Sequence, residues 1–131
     1  MTRRELRDHI FKMLFRIEFH DAKELEEQLQ LYREENEKLS AKDFEYLAAK
    51  CRGVSACVAE LDEAINRVSE GWKTSRMGKV DLAIIRLAVY EMQKEEDIPV
   101  AVSINEAVEL AKKYGTDSSS SFVNGVLAKL A

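Results

Sequence analysis

The segment from residue 80 to residue 92 is apolar on almost every side of a helix. Its apolar residues are Val80, Leu82, Ile84, Ile85, Leu87, Val89 and Met92. A helix that is apolar all round has to be covered by other elements, so it belongs at the centre of a domain. This segment therefore predicts a core helix around which the rest of the chain packs.

Helix-breaking residues are scarce throughout the chain. One proline and five glycines occur among 131 residues, which is too few for a turn-rich β fold. The length is sufficient for one compact domain with a sizeable core. No internal repeat and no strand-like alternation is present. The predicted fold class is all-α.

Apolar residues recur at helical spacing through the N-terminal half. This spacing predicts a largely buried helix over residues 3–20, with Phe11, Phe15 and Phe19 as a second apolar row. It also predicts a short acidic surface helix over residues 21–36. A long central helix follows over residues 40–68, with Ser40 as its N-cap.

Three further boundaries are predicted in the C-terminal half. The sequence Ser-Ile-Asn-Glu at 103–106 is typical of a capping box, and Gly115 is expected to end the helix that follows it. Any of the residues from Asp117 to Ser119 can cap the last helix. Gly125 lies inside that helix, where it costs about 1 kcal/mol relative to alanine. A glycine inside a helix suits a position where another helix approaches closely, and this is expected at Gly125.

A connection between the two halves is expected near Trp72. Gly71 and Gly78 bracket it, which places a weak division between an N-terminal half of about 1–70 and a C-terminal half of about 71–131. Both halves are expected to belong to a single domain that spans residues 1–131.

Charge is distributed unevenly along the chain. The net charge of −4 argues against a nucleic-acid partner, but basic residues are concentrated in segments 1–16 and 73–94, and acidic residues in segment 21–63. A protein with basic zones and an acidic belt can bind a polyanion locally and stay soluble. No membrane-spanning run or signal core occurs, and the two cysteines have no disulfide or metal spacing. These features predict a cytoplasmic protein.

Two features favour binding of an anion, and each has a simpler explanation. The cluster Arg3, Arg4 and Arg7 could neutralise phosphates, or it could be a solvated helix start. The serine run before the last helix could bind an anion at the helix N-terminus, or the serines could only cap it. Phe122 could stack on a base or belong to the core.

Reactive chemistry has little support in the sequence. His9 and His20 lie too far apart on one helix to share a metal ion, and no carboxylates complete a ligand set. No cofactor motif and no catalytic motif is present, so no enzyme activity, cofactor or metal is predicted. Arg86 inside the apolar helix requires a carboxylate, which favours a structural ion pair with Glu106 and Glu109 as candidate partners.

Three stretches together carry a resemblance to a known family. They are IRLAVYE at 85–91, INEAVELAK at 104–112 and FVNGVL at 122–127. The C-terminal half that contains them resembles the NusB family of bacterial transcription antitermination factors almost throughout. In the N-terminal half the resemblance rests on the arginine-led first helix and the overall length.

The resemblance implies two small packed helical bundles with about six to seven helices. It implies binding of boxA-type single-stranded RNA together with NusE, a small-subunit ribosomal protein, in an RNA polymerase antitermination complex that acts notably on ribosomal RNA operons. The implied RNA contacts are Arg3, Arg4 and Arg7 in the first helix, Arg76 and Lys79 before the core helix, and Ser118 and Phe122 at the last helix. Asp81 is implied to face the basic ribosomal protein.

Two departures from the family bear on RNA binding. Ser118 stands where the family often has an acidic residue, so a repulsive charge is absent and RNA affinity could be raised. Only two residues precede Arg3, and fewer basic contacts would make RNA binding more dependent on the partner.

Other functions stay open at this point. One is an RNA-binding domain like those of ribosomal RNA cytosine methyltransferases, and another is a helical scaffold that binds only proteins. A homodimer is also open, since relatives with this fold occur as monomers or dimers and a dimer could cover the RNA site.

Overall fold

A computed structural model describes residues 1–131 and contains seven α-helices and no strand. The helices are α1 (Arg3–Ile17), α2 (Leu25–Glu35), α3 (Ala41–Ala56), α4 (Val58–Val68), α5 (Lys79–Lys94), α6 (Val100–Tyr114) and α7 (Ser119–Leu130). Short 3₁₀ turns at Ala22–Glu24 and Thr74–Arg76 precede α2 and α5. The all-α prediction is confirmed. None of the helices has both the length and the apolar character that crossing a membrane requires.

The helices form two compact units, Met1–Ala56 and Cys57–Ala131. From the sequence, the division was expected near residue 70. A single helix over residues 40–68 was also predicted, which was wrong, since two helices occupy this range. Cys57 has φ −126° and ψ 26°, outside the α-helical region, so the helix stops before it and α4 begins after it. The apolar spacing continues across this break without a change, which is why the pattern did not reveal it.

In the first unit, the predicted apolar stripe of α1 is buried at its centre. Of the stripe residues Leu6, Ile10, Met13, Leu14 and Ile17, the middle three are buried and Leu6 and Ile17 are half-buried, and Phe11 of the second row is buried as well. The second row is covered only in part, because α1 ends at Ile17 and the Phe19 side chain is 61% exposed. Polar contacts fix α1 against α2: Arg16 Nη2 donates to both carboxylate oxygens of Glu35, at 2.7 and 2.9 Å.

The predicted core helix is confirmed in the second unit. Helix α5 contacts α4, α6 and α7, and its buried apolar residues are Leu82, Ala83, Ile84, Ile85, Leu87, Ala88 and Val89. Arg86 on this helix donates from Nε and Nη2 to the two carboxylate oxygens of Asp62, at 2.8 and 2.7 Å. Asp62 on α4 was not among the partners predicted for Arg86. The packing of α4 against α5 brings the two side chains together, and their separation in the chain does not indicate it.

Helix α6 begins one turn earlier than the sequence suggested. Its N-cap is Pro99, whose φ of −58° suits a helix start, and Val102 N and Ser103 N both donate to the Pro99 carbonyl. Ser103 is therefore buried inside the helix and does not cap it. The predicted capping box at 103–106 was wrong.

Gly115 ends α6, as predicted, and closes a tight corner with α7. A Cβ atom at this position would overlap the side chain of Ser119 and lie 2.8 Å from the carbonyl oxygen of Ala111. Gly125 differs, since an added Cβ would meet nothing within 4 Å. No close approach within the chain accounts for Gly125, so that expectation was wrong.

The two glycines are expected to respond to alanine in opposite directions. Gly115→Ala should lower the free energy of unfolding by about 1–3 kcal/mol, because the new methyl group overpacks the corner. Gly125→Ala should raise it by up to about 1 kcal/mol, because alanine is the better helix former in an open position. Urea unfolding of both variants measures this difference. Equal effects of the two changes would contradict the packing at Ser119.

Candidate nucleic-acid interface

The start of α1 is fixed by a capping box. Thr2 Oγ1 accepts a hydrogen bond from Glu5 N at 3.1 Å, and Thr2 N donates to Glu5 Oε1 at 3.2 Å. The bonds from the Thr2 backbone N–H and from its side chain hold the pKa of Glu5 below its usual value. The first turn is thereby ordered by groups other than the arginines.

The three arginines predicted to bind RNA lie in this first turn and the next. Arg3 and Arg4 are exposed and Arg7 is half-buried. Arg7 follows Arg3 by four residues, so both project from one side of α1, with Arg4 about 100° further round. Positive charge at a helix N-terminus opposes the helix dipole. Their position therefore stabilises the helix little, but it does concentrate positive charge for a polyanion.

In the second unit, the predicted residues Arg76, Lys79 and Asp81 lie where the connection enters α5. Arg76 ends the 3₁₀ turn, and Lys79 is the first residue of α5 after the N-cap Gly78. Both cations are exposed, whereas Asp81 is half-buried in the first turn of the helix. The two cations and the carboxylate are thus held on an ordered helix start.

The start of α7 contains the other two predicted residues. Ser118 is the N-cap by position, but its side chain makes no cap hydrogen bond and is exposed. The buried Ser119 is bonded instead, since its Oγ accepts from Thr116 N at 2.9 Å. Phe122 follows Ser118 by one turn, and its N–H donates to the Ser118 carbonyl at 3.1 Å. The Ser118 hydroxyl and part of the half-buried Phe122 ring therefore share one face.

The eight predicted residues are divided between the two units. Arg3, Arg4 and Arg7 belong to the first unit, and Arg76, Lys79, Asp81, Ser118 and Phe122 to the second. Sequence reasoning placed Trp72 in a connection and assigned it no binding role. In the structure it is 56% exposed, four residues before Arg76. Its position next to Lys73, at the start of a basic segment, was the sequence feature that could have marked it as a candidate for RNA binding.

Neither Cys51 nor Cys57 has the lowered pKa of an activated thiol. Burial raises the pKa of Cys51 to about 12, and burial together with the charge of Glu60 raises that of Cys57. An activated thiol has a lowered pKa instead. No group of three or more His, Cys, Asp or Glu side chains is placed to hold a metal ion. The features that stand out on the surface are charged and aromatic rather than reactive.

Comparison with known proteins identifies relatives along the whole chain. Residues 4–131 match the NusB family. A protein of Agathobacter rectalis named transcription antitermination protein NusB is 59% identical over 131 residues, which is the full length of both chains. A protein of the same name from Lachnoclostridium phytofermentans is 52% identical over 130 residues, which covers 99% of this chain and 98% of that one.

Solved structures agree with this assignment. T. maritima NusB has a TM-score of 0.89 and 39% identity, and the match covers 100% of this chain and 91% of that one. A chain in a crystal structure of a plectonemic RNA supercoil has a TM-score of 0.86 and 26% identity, over 98% of this chain and 92% of that one. On the strength of the family match and these relatives, the chain belongs to the NusB family.

Proposed function

We propose that this protein is a non-catalytic RNA-binding adaptor in transcription antitermination. It acts in the bacterial cytoplasm, where it binds boxA-type single-stranded RNA together with the ribosomal protein NusE as part of an RNA polymerase complex, notably on ribosomal RNA operons. The observation that carries this proposal is the arginine-rich start of α1 in a chain whose relatives are named transcription antitermination proteins. The RNA supercoil structure supports a nucleic-acid partner, because it pairs this fold with RNA.

The first unit supplies electrostatic attraction in this proposal. Arg3, Arg4 and Arg7 bind phosphates of the RNA backbone, which releases condensed counterions and makes the affinity depend on salt. These contacts position the RNA but carry no sequence information themselves. The specificity has to come from groups that contact the bases.

The second unit supplies such groups. Phe122 can stack on an unpaired base, and the Ser118 hydroxyl beside it can donate or accept a hydrogen bond. Arg76 and Lys79 add exposed positive charge at the connection before α5. Asp81 offers a carboxylate to the basic ribosomal protein.

Fluorescence anisotropy of a labelled boxA-type RNA tests the proposal. The RNA is titrated with this protein alone and with the protein plus NusE, at two salt concentrations. We expect binding that NusE strengthens and that weakens as the salt concentration rises. The absence of binding in every mixture would instead favour a helical scaffold that binds only proteins.

Replacing Ser118 by aspartate is expected to weaken RNA binding about fivefold. The new carboxylate stands near the RNA backbone, where one like-charge contact in water costs about 1 kcal/mol. Aspartate is a good N-cap residue, so the free energy of unfolding should not fall. Anisotropy with boxA-type RNA measures the change.

Asn124→Asp is the matched control for this variant. Asn124 is also exposed on α7 but projects about 120° away from Ser118, so the same added charge should change RNA affinity little. Equal weakening by both variants would show that net charge, rather than the position of Ser118, determines the effect.

A further inference from the structure

The connection between α4 and α5, residues 69–78, is held in shape by its own hydrogen bonds. Ser69 is buried, its Oγ donates to the Trp72 carbonyl at 2.6 Å, and its carbonyl accepts from Trp72 N at 3.3 Å. Gly71 between them has a φ of +79°, a left-handed conformation that favours glycine. The backbone position of Trp72 is thus fixed by these bonds rather than by burial of its indole.

Asn66 at the last turn of α4 holds the next part of the connection. Its Oδ1 accepts from Thr74 N at 2.8 Å, and its Nδ2 donates to Thr74 Oγ1 at 3.3 Å. Its backbone carbonyl accepts from Lys73 Nζ at 3.2 Å. Met77 is buried at the far end. Both sides of Trp72 are therefore ordered.

The indole of Trp72 is 56% exposed on this ordered backbone. The other strongly exposed aromatic residues each have a close partner. Phe19 packs edge-on against Phe15 with ring centroids 5.2 Å apart, and Lys50 Nζ lies 4.9 Å from the centroid of Tyr46. Trp72 has no such ring or cation partner. A large aromatic surface that would stabilise the fold if buried is left available.

The charges around Trp72 favour a polyanion. Residues 70–81 contain three cations, Lys73, Arg76 and Lys79, and two acids, Glu70 and Asp81, so three positive and two negative charges leave a net charge of +1. The acidic residues in the adjoining groove that Lys73 also lines are already paired. They are Asp62, bonded to Arg86, and Glu63, bonded to Arg67 at 2.6 Å. These two carboxylates are therefore bonded to other arginines and not to Lys73 or Arg76, the two cations closest to Trp72 in the chain.

We propose that Trp72 is a stacking platform for one unpaired base of single-stranded RNA, with Lys73 and Arg76 on the flanking phosphates. An exposed aromatic face beside cations is the arrangement with which proteins bind single strands, because every base has a π-face. This inference rests on the proposed RNA-binding function and extends the RNA-binding surface to a residue outside the predicted set.

Intrinsic fluorescence provides a direct readout, since Trp72 is the only tryptophan in the chain. A single-stranded boxA-type RNA should quench Trp72 emission with the same affinity that anisotropy gives. The same sequence annealed to its complement should not quench it, because paired bases cannot stack on the indole. By anisotropy, Trp72→Ala should weaken single-strand binding about 5-fold to 150-fold, and Trp72→Phe should restore part of the loss.

Phe19→Ala is the matched control, because it removes an equally exposed aromatic side chain from the other unit. It should leave RNA affinity unchanged. Thermal unfolding by circular dichroism checks that each variant is folded. If the RNA binds the wild-type protein without quenching, and Trp72→Ala binds it equally well, the stacking inference is wrong and the proposed function stands. If no RNA binds the wild-type protein, both are overturned.

Discussion

Replacing Arg3, Arg4 and Arg7 together by alanine is expected to weaken boxA-type RNA binding about 100-fold at roughly 0.1 M salt. Each phosphate contact to a single strand contributes about 0.7 to the slope of log affinity against log salt. Three lost contacts should therefore lower that slope by about 2 as well as the affinity itself. Anisotropy titrations over a series of salt concentrations measure both quantities.

The variant is expected to stay folded. Alanine is a strong helix former, and the capping bonds between Thr2 and Glu5 do not involve the arginine side chains. The control replaces Lys23, Lys38 and Lys42, three exposed cations of the same unit, by alanine, which changes the net charge equally. A loss of affinity as large in the control would show that the location of the arginines on α1 is irrelevant.

Replacing Asp62 by alanine is expected to lower the free energy of unfolding by about 2–3 kcal/mol. The side chains of Arg86 and Asp62 are only 12% and 21% exposed, and the two hydrogen bonds between them hold the guanidinium. Removing the carboxylate leaves a poorly solvated positive charge inside the second unit. Breaking a fully buried pair costs about 3–5 kcal/mol, and the remaining exposure reduces that figure.

Urea unfolding compares this variant with Glu60→Ala. Glu60 on the same helix pairs with Lys94 at 3.1 Å, but both side chains are well exposed, so its loss should cost less than about 1 kcal/mol. A similar, small cost for both variants would contradict the structural role assigned to Asp62.

The helical spacing of apolar residues correctly predicted which faces of α1 and α5 are buried. Helix α5 is apolar on most sides and lies in the core, and α1 buries the stripe of Ile10, Met13 and Leu14. Periodicity did not reveal the interruption at Cys57, because the apolar spacing continues from Val54 through Leu61. A single residue outside the helical region leaves no mark in such a pattern when the residues on both sides keep the apolar spacing.

The contacts between helices could not be predicted from the sequence. Arg86 had to pair with a carboxylate, but Asp62 lies 24 positions away on another helix. Ser103 has the spacing of a cap, yet the rigid φ of Pro99 starts the helix earlier. Local chemistry predicts that a group needs a partner, and packing decides which group supplies it.

The candidate RNA surface was accessible to sequence reasoning only in part. Arg3, Arg4 and Arg7 stand out because their charges cluster in the chain itself. Trp72 does not stand out, because a tryptophan in a connection is as easily covered as exposed. The backbone around it is shaped by Asn66 and Gly71, whose hydrogen bonds and conformation are visible only in three dimensions.

The bonds that shape residues 69–78 have a consequence for binding. They join residues only three to eight positions apart, so the connection is ordered by short-range contacts within the free protein. A ligand that meets a preorganised surface does not have to immobilise it, and ordering a flexible segment on binding would otherwise reduce affinity. Asn66 and Ser69, which need not touch a ligand at all, thereby lower the entropic cost of binding one.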